Sequence, residues 1–184
     1  MDNYPQHLAP EFEESGAVKT PFEEWWPKVC ASFPNIPEEV ARFWLHEHWS
    51  HSPFSWLPSS RYLFELVDFP SDRLAEIRSG WDNFKGLGEC HEHGRDLIEG
   101  MPAKLGYPTS AYMVEHGDFP TPVIVLDNHD GHLSTLEPLP PKWEPKFPKA
   151  LILVEGHRRL NMGIYLAARG RLKTIVKIYM MSVA

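Results

Sequence analysis

Five consecutive residues, Glu155-Gly156-His157-Arg158-Arg159, bring together a carboxylate, a position without a side chain, an imidazole and two guanidiniums. They follow the apolar run Leu151-Ile-Leu-Val154 and precede Leu160-Asn-Met-Gly-Ile-Tyr-Leu-Ala-Ala168, whose apolar spacing is helical. The segment reads as a buried strand, a tight turn at Glu155-Gly156, and a helix opening on His157. Gly156 permits tight backbone geometry at the strand end. The residues after it offer backbone N–H groups that an α-helix leaves without partners in its first turn. Two arginines beside those groups make an anchor for a phosphate. They also oppose the helix macrodipole, which favours negative charge at this end, so an anion is expected to neutralise them. The other reading is that Arg158 and Arg159 pair with an acidic residue of a neighbouring strand.

The elements that must hold this turn can be traced along the chain. Thr121-Pro-Val-Ile-Val-Leu-Asp127 reads as a buried strand closed by the turn Asp127-Asn-His-Asp-Gly131. Lys149 to Val154 is a second strand, 158–168 a helix stopped by Gly170, and Thr174 to Met180 a third strand. Between the first two lies Glu137–Pro148, with five prolines in twelve residues, an extended surface excursion. Upstream, one helix is expected near Gly94 to Gly100. The front of the chain carries Trp25, Trp26, Trp44, Trp49, Trp56 and Trp81. Pro37–His48 reads as a helix with Val40, Phe43, Trp44 and His48 on one stripe. Ser71–Arg78 reads as a short helix with Ser71 as N-cap. Arg61–Val67 fits a strand or a helical turn equally. Residues 1–20 read as a loosely docked arm.

The expected organisation is therefore α/β (α+β): a helical, Trp-rich N-terminal region over 1–86 and a sheet domain over 87–184. With 42% hydrophobic and 23% charged residues in 184, the chain has the composition of a globular protein. Its formal net charge of −7 argues against a surface that coats nucleic acid, which needs many Lys and Arg contacts, but leaves room for a local basic site. Cys30 and Cys90 lack CxxC spacing and are read as reduced thiols. The start, Met1-Asp-Asn-Tyr-Pro5, lacks a basic stretch and an apolar core, and no apolar run nears the ~20 residues that span a bilayer. A cytoplasmic protein that binds no membrane is expected.

The run Gly156-His-Arg-Arg159, a helix through Ala168, Arg169-Gly-Arg-Leu-Lys-Thr-Ile175 and Val176-Lys-Ile-Tyr179 resembles the ParB/sulfiredoxin superfamily, and Asp118–Leu126 looks like the strand that precedes this motif. The resemblance covers roughly 118–181, extends toward 88, and is absent over the first 85 residues. It implies a ParB/sulfiredoxin-like mixed sheet with helices, in which Gly156, His157, Arg158 and Arg159 line a nucleotide-phosphate pocket, with ATP or CTP as candidate ligand. Three departures qualify it. The sulfiredoxin cysteine is replaced by His157, which excludes a sulfinic-acid reductase. Partition proteins carry glutamate there and alanine three residues after the arginine, where this chain has His157 and Met162. Their DNA-reading helix-turn-helix has no counterpart before Ala184. What remains is the stand-alone branch, with nucleotide hydrolases, nucleases and factors of bacterial plasmid or phage conflict. In such a site Glu155 is the candidate to hold Mg²⁺, another divalent cation, or a water. His157 is the candidate acid or base. Arg95 is the candidate second basic group from the preceding helix. The alternative for Glu155 is an internal ion pair with Arg158 or Arg159.

Other clusters carry less. His46-Glu-His-Trp-Ser-His51 does not share a helix face and so is no metal site. Cys90, His91 and His93 would converge on zinc only from a loop and lack a second ligand pair. Asp127 and Asp130 are placed at the pocket mouth or in a plain turn. The tryptophans read as core and interface in preference to base-stacking platforms. The function expected is nucleotide or nucleic-acid phosphate binding with metal-dependent phosphoester hydrolysis by Glu155 and His157. The alternative is a non-catalytic interaction or inhibitor protein that grips a protein partner through its Trp-rich half.

Overall fold

The computed structural model describes residues 6–49, 61–80, 83–84, 87–133 and 147–184. The prolines of 137–146, together with His51, Trp56 and Trp81, lie outside the described residues. Contacts divide the chain into two units, Met1–Phe64 with Met181–Ala184, and Glu65–Met180.

In the first unit the segment expected as a loose arm is tied down. It forms a 3₁₀ turn at Gln6–Leu8 and a bridge between Phe12 and Val18. The Trp25 indole donates to the Leu8 carbonyl at 2.8 Å. Helix α1 (Phe22–Val29) opens with Glu23 and Glu24, the acids its positive end favours. Helix α2 (Glu38–Val40) starts at Pro37 and passes into a π-helical stretch, Ala41–His46. Each π turn takes an extra residue, so the buried face drifts from the stripe read at helical period. Val40 and Trp44 are buried as expected, but Ala41, Leu45 and His46 replace Phe43 and His48. His46 Nε2 donates to the Thr20 carbonyl at 2.7 Å. Trp25, Trp44 and Trp49 are each at most 5% exposed, so these three aromatics are core.

The second unit carries a four-stranded sheet of order β1-β4-β2-β3 with helices against it, an α+β arrangement. Strand β1 (Tyr62–Pro70) is the segment that the apolar run left undecided. Its neighbour in the sheet is the last strand of the chain. Ser71–Glu76 is 3₁₀, and Ser71 does not cap it: its N–H binds the Thr174 carbonyl at 2.9 Å. Then come α3 (Leu87–Glu99), α4 (Met101–Lys104), α5 (Pro108–His116), β2 (Val123–Asp127), β3 (Leu151–Glu155), α6 (His157–Ala167) and β4 (Ile175–Val183). Where one helix was expected between 87 and 118 there are three, because Gly88 and Gly94 lie inside α3 and do not bound it.

Strands β2 and β3 pair antiparallel, with Ile124 opposite Glu155 and Asp127 opposite Leu151. Four residues of each are fully buried, which explains why both read as unbroken apolar runs. The connection β3-α6-β4 passes β2, and α6 packs on α3. That approach is close: a Cβ on Gly94 would lie 2.1 Å from the Asn161 carbonyl oxygen. Beside it the Tyr165 hydroxyl donates to Glu99. Gly94→Ala is expected to lower stability by about 1–3 kcal/mol or more, measured by urea denaturation, because the obstructing atom is backbone. An unchanged midpoint would place α3 farther from α6.

Candidate functional site

Strand β3 delivers Glu155 to the sheet end, and Gly156 turns the chain into α6 with φ 99° and ψ 31°. This left-handed geometry favours glycine. A Cβ there would also meet Val123 Cγ1 at 2.6 Å and the Arg159 guanidinium at 3.1 Å. The expected strand-turn-helix is present, and the two arginines after the turn face different ways.

Arg159 turns inward. Its guanidinium donates to the Thr121 hydroxyl and lies 3.9 Å from Glu155 Oε1, both side chains being only 18% exposed. Glu155 thus takes the internal ion-pair role that the sequence left open, and Arg159 ties the end of β3 to the segment leading into β2. Arg158 is exposed. Its guanidinium carbon lies 5.7 Å from the centre of the Tyr107 ring. Burial alone would raise the Tyr107 phenol. Hydrogen bonds from Arg158 and Thr109, with the charges of Arg158 and Arg159, outweigh that and hold it below the ordinary phenol range.

Tyr107 and Thr109 were not singled out in the sequence. Tyr107 is the N-cap of α5, Pro108 is its first residue, and Thr109 follows. Arg158 stands in the first turn of α6. Through this contact a side chain from the first turn of α6 reaches the N-cap residue of α5, and in neither helix does the N-cap side chain cap the first turn. The Arg158 and Arg159 charges raise the local potential at the Tyr107 hydroxyl, which is also hydrogen-bonded with Thr109. Proline at N1 and a residue with a short hydroxyl side chain behind it were the available signals.

Arg95 and the acids of the β2 turn lie elsewhere. The exposed Arg95 contacts Asp96 at 3.5 Å, and its charge acts on Tyr165. Tyr165 is nine residues beyond Gly156, about 13 Å along α6. Asp127 is opposite Leu151, four residues from Glu155, so it sits about 13 Å from the Gly156 turn. Asp127 and Asp130 accept from His129 at 2.6 Å and His132 at 2.5 Å, closing a turn at that far end. Cys90 is buried in the core.

Among the described residues no three His, Cys, Asp or Glu side chains converge as a metal site. At the turn a divalent cation would find one carboxylate, Glu155, which already faces Arg159. No helix among the described residues is long and apolar enough to cross a membrane.

No protein-family model, curated protein or solved structure matches this chain.

Removing the Arg158 guanidinium is expected to move Tyr107 ionisation to higher pH, since the phenolate loses a hydrogen bond and a counter-charge. Ultraviolet difference titration against Tyr107→Phe isolates that transition. An Arg158→Ala profile superimposable on the wild-type one would separate the two groups.

Proposed function

We propose that the unit Glu65–Met180 binds a phosphate group of a nucleotide or nucleic acid where the N-termini of α5 and α6 meet. One observation carries this reading: an exposed guanidinium, Arg158, stands over a tyrosine whose phenol is pulled below its ordinary range at the positive ends of two helices. A doubly charged phosphate answers each of those features, taking charge-assisted hydrogen bonds from Arg158 and from backbone N–H groups, and neutral ones from Tyr107 and Thr109. Arg159 acts behind the site, where it holds Glu155 and Thr121 in place. The order β3, Gly156, α6, Gly170, β4 supports the ParB/sulfiredoxin-like reading of the fold. Binding needs none of the groups offered for hydrolysis, and Glu155 is engaged with Arg159. Phosphate recognition is the activity these residues serve.

The competing reading, a protein-docking aromatic half, has less to stand on, since Trp25, Trp44 and Trp49 are buried within the first unit.

Calorimetric titration with ATP, CTP and tripolyphosphate tests the proposal. The wild-type protein binds at least one of them. Arg158→Ala weakens binding about ten- to a hundred-fold with stability unchanged within ~0.5 kcal/mol. Arg159→Ala lowers stability measurably. Equal affinity of Arg158→Ala and wild type would remove the site from this position.

A further inference from the structure

Within the first unit, the N-terminal segment and α1 enclose a cleft of about 460 Å³. That is within the roughly 300–1,000 Å³ of small-molecule sites. One wall is a face of α1 with Glu24, Trp25 and Lys28, and the other carries Leu8, Pro10 and Thr20. The walls are tied to one another. The Trp25 indole holds the Leu8 carbonyl, and the Glu11 N–H donates to the Thr20 hydroxyl at 3.0 Å. The Lys19 N–H donates to the Glu11 carbonyl at 2.8 Å. The cleft is thus shaped before a ligand arrives, which lowers the cost of ordering it on binding.

The charges along the cleft set its ligand. Lys19 and Glu11, which also line it, pair with each other at 3.2 Å. Glu24 and Lys28 stand at i and i+4 on α1, the spacing at which opposite charges commonly pair. They do not: neither has an ion-pair partner among the described residues. One carboxylate and one ammonium therefore line the same wall unmatched, about 5–6 Å apart at their Cβ atoms. We infer that the cleft binds a free α-amino acid, its ammonium at Glu24 and its carboxylate at Lys28. The two charged groups of such a ligand sit on one carbon, so a single small molecule reaches both side chains. A simple anion or cation leaves one of the two unmatched, and a peptide carries its terminal charges too far apart. Leu8 and Pro10 on the opposite wall suit an aliphatic side chain.

Proton–nitrogen NMR titration of the full chain with leucine, N-acetyl-leucine and leucinamide tests this. Leucine is expected to shift the amides of Glu24, Trp25 and Lys28 and the Trp25 indole N–H. N-acetyl-leucine lacks the ammonium and leucinamide lacks the carboxylate, and each binds at least about ten-fold more weakly. Glu24→Gln and Lys28→Gln are surface changes that identify the partners. The first equalises leucine and N-acetyl-leucine, and the second equalises leucine and leucinamide. Absence of shifts with leucine at tens of millimolar, or shifts confined to other residues, would overturn the site. So would derivatives that bind as leucine does. Variants that keep the discrimination of the wild type would overturn the roles of Glu24 and Lys28.

Discussion

At Gly156 the chain changes from strand to helix within one residue, in a left-handed conformation and with Val123 packed where a Cβ would stand. The rest of the second unit follows from that turn. It aims α6 back along the sheet, so that the helix connects β3 to β4 past the intervening β2. It sets the first residues of α6 at the sheet end, where Arg159 reaches both Glu155 and Thr121. A larger residue would have to displace a fully buried valine while adopting a strained backbone. Close packing continues down the helix, where Gly94 lets α3 approach the Asn161 carbonyl and Tyr165 closes on Glu99.

The adjacent arginines divide two tasks that a sequence cannot separate. Neighbours on a helix point about 100° apart, so one side chain faces the sheet and the other faces outward. Arg159, largely buried, needs a counter-charge and a hydroxyl within the fold, and it has both. Arg158 has an aromatic partner and solvent. An exposed guanidinium at the positive end of a helix is electrostatically unfavourable unless something negative arrives. Burial would raise the Tyr107 phenol, but hydrogen bonds from Arg158 and Thr109 and the two arginine charges lower it. A phosphate would therefore be bound by charge already in place.

Local chemistry that acts through neighbours in sequence was legible beforehand. The apolar runs of β2 and β3, the glycine turn and the span of α6 all follow from patterns within a dozen residues. Features decided by packing were not. The π-helical stretch at Ala41–His46 shifts the buried face by an amount no fixed period anticipates. Gly88 and Gly94 suggest breaks, yet Gly94 is inside a helix because another helix needs the space. Arg95 and Asp127 carry suitable charges, but helix length and strand register put them far from Gly156. Tyr107 and Thr109 were missed because their meaning depends on α5 ending against α6, a contact across fifty residues of chain.

The central claim is that the N-termini of α5 and α6 form one anion site with Arg158. A crystal structure of the protein with tripolyphosphate tests it most directly. The account predicts a phosphate within hydrogen-bond distance of the Arg158 guanidinium and the Tyr107 hydroxyl, at the first turn of α6. A phosphate bound elsewhere, with Arg158 still over Tyr107 and the helix ends unoccupied, would contradict it.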